Sequence, residues 1–255
     1  MTDTDLVILS LFPEVSNVHG DAQNAAVLAA RARWAGHPVR EIELPLGGSL
    51  GEVLAGATPN VVVIGAGFDE DAPRLREGLL KVSSALADWH AAGRPILAVA
   101  NGWELLAAEF ELSPNEPIAG VGLFPGRAVA AAKPAAGQLI VETDFGSMVG
   151  YEYPSRHYIA SDGESALGSV SVGDGNGGNS HTEGSRILNA FGTHLRGPVL
   201  ARNPAFAEAL LVLALGARPG GDSESFTTAR RAEVGPRESA DTFAAAVNSR
   251  IRAAS

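Results

Sequence analysis

The chain contains no cysteine. That absence removes disulfides, thiolate metal sites and every mechanism that attacks with a cysteine sulfur. Lysine is nearly missing too, and 19 basic residues face 29 acidic ones, for a formal net charge of −10. No basic stripe of the kind that follows a phosphate backbone is visible, so a nucleic-acid partner is not expected. Acidity of this size serves solubility and identifies no partner. Long apolar runs are lacking as well: none approaches the roughly 18 residues of a membrane span. The opening Met1-Thr2-Asp3-Thr4-Asp5 lacks the basic residues that precede the apolar part of a signal peptide. These absences lead to the expectation of a cytoplasmic protein. Scarce lysine beside abundant alanine and glycine matches the coding bias of a GC-rich bacterial genome.

What is present is a core. Hydrophobic residues make up 45% and charged residues 19% of the 255 positions, the profile of a globular chain. Leu6–Leu11, Val39–Leu44, Asn60–Gly65 and Pro95–Val99 read as strands. Between them, Asp21–Ala35 reads as an alanine-rich helix with Asp21 as N-cap, and Ala72–Ala92 as one long amphipathic helix closed by Gly93. Strand–helix alternation predicts a mostly parallel twisted sheet flanked by helices, an α/β fold. Past the middle the pattern changes. Gln138–Glu142 and Leu167–Val172 alternate with turns and predict an antiparallel extension, and Gly173–Asn179 reads as a flexible surface loop. Pro204–Leu215 is helical; residues 217–255 read as a polar, loosely held extension, partly helical over Ala240–Ala254. The expected organisation is one domain over 1–216 with that extension attached.

Ile96–Leu106, ILAVANGWELL, runs from a strand through a small-residue turn into a second helix predicted near Trp103. Such an elbow lifts one side chain above a sheet, where nearby backbone N–H groups can hold an oxyanion. Alone the pattern is weak, because many α/β proteins turn this way. Four further segments strengthen it: Phe12–Asn24, Gly65–Asp69 (GAGFD), Gly150–Glu152 (GYE) and Phe191–Leu200 (FGTHLRGPVL), the last continuing through Arg202-Asn203-Pro204. In this order they resemble the opening, strand-end, elbow, GFE/GYE and LHGP motifs of the class I glutamine amidotransferases. The resemblance lies in the cobyric-acid-synthase-like branch, which includes the glutaminase subunit of lipid II isoglutaminyl synthase.

That resemblance implies a cysteine nucleophile at the elbow and a histidine base in the LHGP motif. Here the first position is Ala100 and the second Arg196. A methyl group attacks nothing, and a guanidinium that keeps its proton is no general base. The family's strand-end glutamine falls on Phe68, and the stretch after Glu152 is rewritten as Tyr153-Pro154-Ser155-Arg156-His157. A change confined to position 100 would leave those positions intact; the departure covers the whole site. No catalytic residue is therefore expected, and the former substrate pocket maps to Gly65, Gly67, Phe68, Asn101, Gly102, Trp103, Tyr153 and His194. In an extended segment His194 and Arg196 share a face, which puts His194 within reach of that pocket. His157 and His181 read as ordinary loop histidines, and neither metal nor cofactor is expected.

Three functions remain open on the residues. The family's glutaminase subunits pair with a Mur-ligase-like ATP-dependent ligase, so the first is a catalytically inactive subunit that supports such a ligase without supplying ammonia. The second is a remodelled pocket, lined by Phe68, Trp103, Tyr153, His194 and Arg196, that takes a different, anionic small molecule. The third is a residual glutaminase subunit of an amide-forming ligase. Asp69 and Glu104 are polar residues in these motifs with no role assigned.

Overall fold

A computed structural model describes residues 5–216 and 234–255. In chain order the strands are β1 (Leu6–Leu11), β2 (Val39–Leu44), β3 (Val61–Ile64), β4 (Ile96–Val99), β5 (Ala107–Ser113), β6 (Glu116–Ala119) and β7 (Phe124–Ala130). They continue with β8 (Gly137–Thr143), β9 (Gly146–Glu152), β10 (Arg156–Ile159), β11 (Gly168–Val172), β12 (Thr182–Glu183), β13 (Ser185–Ile187) and β14 (Ala190–Thr193). The helices are α1 (Asn24–Trp34), α2 (Leu50–Leu54), α3 (Ala72–Lys81), α4 (Ser83–Ala91), α5 (Asn101–Glu104), α6 (Val199–Arg202), α7 (Pro204–Gly216) and α8 (Val234–Ala254).

The central sheet runs in the order β13-β14-β4-β3-β1-β2, parallel except for the edge strand β13. Strands β1, β3, β4 and β14 are buried along their whole length. Their nearly continuous apolar runs follow from coverage on both faces, which leaves no solvated side to alternate toward. One core cluster joins Leu6, Ile8, Val61 and Val63 of the sheet to Leu28 of α1 and Leu210 of α7; the other joins Leu9, Val62 and Ile64 to Leu75 and Leu86 of α3 and α4.

Two four-stranded sheets complete the molecule, ordered β10-β7-β5-β6 and β12-β11-β8-β9. The second is wholly antiparallel, as expected of the extension. The first contains a parallel pair, β5 with β7, and begins directly behind the elbow. The second helix expected there is one turn, α5, because the chain is drawn into β5 at Ala107.

Two helical expectations need correction, and a third is borne out in its helical part. The predicted single helix over Ala72–Ala92 breaks at Val82, where the Ser83 hydroxyl donates to the Leu80 carbonyl at 2.8 Å and competes with the helical ladder. Asp21 caps no helix: a 3-10 turn, Asp21–Gln23, precedes α1, and the Asp21 carboxylate instead accepts from the Gly197 N–H at 3.0 Å. The extension over 217–255 falls partly outside the described residues, but its described part is a 21-residue helix held against the body. There Asp241 pairs with Arg31, Asn248 Nδ2 donates to the Arg202 carbonyl at 2.8 Å, and Ala244 is buried. Among the described residues no helix is long and apolar enough to cross a membrane.

Candidate functional site

The C-terminal ends of β3, β4 and β14 lie side by side in the sheet. Parallel α/β sheets bind ligands at such an edge. Here it carries Gly65–Gly67, Ala100–Trp103 and Thr193–Arg196. Ala100 sits at φ 47°, ψ −125°, a conformation an L-residue adopts only when its surroundings hold it. They do: its N–H donates to the Thr193 carbonyl at 2.8 Å, and its carbonyl accepts from Trp103 and Glu104. Gly102 permits the turn, because a Cβ there would overlap the Gly65 carbonyl oxygen. The strained elbow is built in full, with a methyl group at its tip.

That tip is closed. Ala100 and Trp103 are 0% exposed and Asn101 2%. Asn101 Oδ1 accepts from the Gly67 N–H and its Nδ2 donates to the Gly67 carbonyl, both at 2.8 Å. The side chain thus occupies a backbone donor that an open elbow would offer to an oxyanion. From the other side the Phe12–Gly20 segment presses on the strand end: a Cβ on Gly67 would come within 2.7 Å of the Val15 carbonyl oxygen, and Val18 donates to the Ala66 carbonyl.

Of the residues expected to share a pocket, Gly65, Gly67, Asn101 and Gly102 do converge. Phe68 and Tyr153 do not line an enclosed space; they stand 62% and 49% exposed. Trp103 is a core residue, its ring 4.2 Å from that of Tyr158 and 4.8 Å from that of His194. His194 and Arg196 are both buried, 0% and 8% exposed. Strand β14 ends at Thr193, whose hydroxyl accepts from the Leu195 N–H at 3.0 Å, and the His194 ring is committed inward to Glu104 and the Gly175 carbonyl. His157 belongs to β10, not to a loop.

His194 enters a buried ionic chain. Its Nε2 lies 3.1 Å from Glu104 Oε1, and its Nδ1 lies 3.0 Å from the Gly175 carbonyl and 3.6 Å from Glu183 Oε2. Glu183 Oε1 accepts from the Thr193 hydroxyl and the His194 N–H, both at 2.7 Å. Glu104 Oε2 accepts from Arg156 Nε at 2.6 Å, and Arg156 reaches on to Asp69, which also accepts from the Ser155 hydroxyl. Burial alone would push the His194 pKa down, but the hydrogen bonds and charges of Glu104 and Glu183 raise it to about 9. Burial likewise opposes ionisation of Glu104, yet Arg156 and His194 bring it down to about 2. An imidazolium with both N–H groups committed to acceptors is a structural cation and has no lone pair to offer as a base.

The Gly173–Asn179 loop, expected on the surface, is exposed at both ends and buried only over residues 175–177. Glu152 accepts from the N–H groups of Asp174 (2.7 Å) and Gly175 (2.9 Å), and Asn176 is buried with reciprocal bonds to Gly184. Glycine permits the left-handed backbone at 175 and 177, and a Cβ at 177 would collide with the His157 ring. Asp69, Glu104, Arg156 and Glu183 were missed as a set. Glu104 on the elbow was a visible signal; Glu183, in a two-residue strand, offered none. Among the described residues no group of three His, Asp or Glu side chains could hold a metal ion.

This geometry, an elbow at the edge of a parallel sheet with a second sheet closing behind it, fits the comparisons with known proteins. The model of the CobB/CobQ-like glutamine amidotransferase domain matches residues 7–204. The chain belongs to this family. Two curated relatives are each a "Lipid II isoglutaminyl synthase (glutamine-hydrolyzing) subunit GatD". The Staphylococcus aureus protein is 25% identical over 208 residues, covering 81% of this chain and 83% of its own length. The Streptococcus pneumoniae protein is 25% identical over 227 residues, covering 85% and 83%. Among solved structures, a glutamine amidotransferase aligns with a TM-score of 0.56 at 15% identity over 81% of this chain and 98% of that one. A glutamine amidotransferase from Thermotoga maritima gives 0.51 at 12%, over 89% and 91%. The fold is therefore that of the class I glutamine amidotransferases, and the sequence resembles GatD.

Proposed function

We propose that this chain is a non-catalytic glutamine-amidotransferase-like subunit that assembles with a Mur-ligase-like ATP-dependent ligase and supports it without supplying ammonia. The observation that carries the reading is the sealed elbow: strained backbone at Ala100, no nucleophile, and the Gly67 N–H bonded to Asn101. A strained residue persists only when its surroundings over-determine it, so scaffold and chemistry have separated here. Arg196 at the position aligned with the base, and His194 locked as an imidazolium, add support. The relatives' description as subunits of a synthase supports assembly with a synthetase partner. The ligase would then draw on free ammonium or another amine.

The test is affinity capture of the tagged chain from its native host. The expected result is stoichiometric recovery of an ATP-dependent ligase whose amide formation runs on added ammonium and not on glutamine. Recovery of no ligase, or amidation driven by glutamine, would overturn the reading.

A further inference from the structure

Three arginines are buried in the described structure: Arg31, Arg156 and Arg196. Charged side chains seldom go below the surface unless paired, because an unpaired one forfeits its hydration. Arg31 obeys the rule through Glu208 and Asp241, and Arg156 through Glu104 and Asp69. Arg196 does not. It is 8% exposed, its Nε is shut off from solvent without a hydrogen-bond partner, and among the described residues its guanidinium enters no hydrogen bond or ion pair.

Three segments meet around it. The Arg196 N–H donates to the Tyr151 carbonyl at 2.8 Å, tying the turn to the end of β9. The exposed His19 sets its ring 6.4 Å from that of Tyr151, edge on. Asp21 lies near enough to feel the Arg196 charge, but it uses Oδ1 to hold Gly197 and does not pair with the guanidinium.

We propose that Arg196 receives the carboxylate of a small-molecule ligand where the His19–Asp21 loop meets Tyr151. The planar guanidinium fork matches the two coplanar oxygens of a carboxylate. Asp21 already offsets the single positive charge, so a dianionic phosphate meets more repulsion than a monoanion. The half-buried ring of Tyr151 offers a flat surface to the carbon body of the ligand. The inference goes beyond the subunit role and does not rest on it.

Titration of the wild-type protein with acetate, benzoate or inorganic phosphate, each to about 10 mM, reads the site directly through the NMR resonance of the Arg196 Nε–Hε group. The expected result is saturable movement with both carboxylates, tighter for benzoate, and phosphate weaker by about tenfold. Arg196→Lys keeps the charge but loses the fork, and should weaken benzoate by about tenfold; Arg196→Gln should abolish binding, both read from the ring-proton resonances of benzoate. Because replacing a buried side chain can unfold a variant, the wild-type titration decides where a variant does not fold. No saturable movement with either carboxylate overturns the proposal. Tighter phosphate than carboxylate, or unchanged affinity in folded Arg196→Gln, does so equally.

Discussion

His194 shows how far a single residue can move from the role its spacing suggests. Sandwiched between Glu104 and Glu183, it is the cation on which two buried carboxylates depend. His194→Gln leaves Glu183 without its charge partner and Glu104 with Arg156 alone, and is expected to cost about 3 kcal/mol, read from the urea midpoint. The pH dependence follows. With a folded-state pKa of about 9 against 6.5, His194 contributes fully below pH 6.5 and its contribution is lost as pH rises through 9. Glu104, held at about 2 against 4.5, contributes fully above pH 4.5 and loses its share as pH falls through 2. Wild type should therefore show a plateau between these limits, and His194→Gln should flatten the alkaline limb. An unchanged alkaline limb would show that the imidazolium is not the titrating group. The sequence made Ala100, Gly102 and Arg196 legible, since local motif order places them. It could not reveal the ionic chain, whose members come from positions 69, 104, 156, 183 and 194 and meet only through tertiary folding.

At the scale of elements, the parallel sheet was readable because its inner strands are nearly continuous apolar runs, and α7 because Pro204 opens an apolar stretch broken only by Glu208. What escaped was decided by competition. Ser83 broke a helix that periodicity extended, and the pull of β5 cut α5 to one turn. The Gly173–Asn179 loop looked like a polar surface turn, yet Glu152 and His194 draw its backbone inward. The elbow itself rests on close backbone approach between β3 and α5. Gly102→Ala should destabilise the protein by about 3 kcal/mol, since the added methyl must displace the Gly65 carbonyl and the strand end behind it. Thermal unfolding checks this, and a variant as stable as wild type would mean that the elbow has room it is not shown to have.

Across the whole molecule, the amidotransferase fold is intact while the tip of its elbow is buried. The central sheet keeps its order, the two smaller sheets close behind it, and α8 is fastened to the body through Arg31 and Arg202. Such a body can serve as a partner surface without turning over substrate. The measurement that bears most directly on this account is ammonia release from glutamine by the purified chain, alone and in complex with the captured ligase. No release above a protein-free control in either state is the result the account requires. Turnover at the rate of an ordinary glutaminase subunit would contradict it.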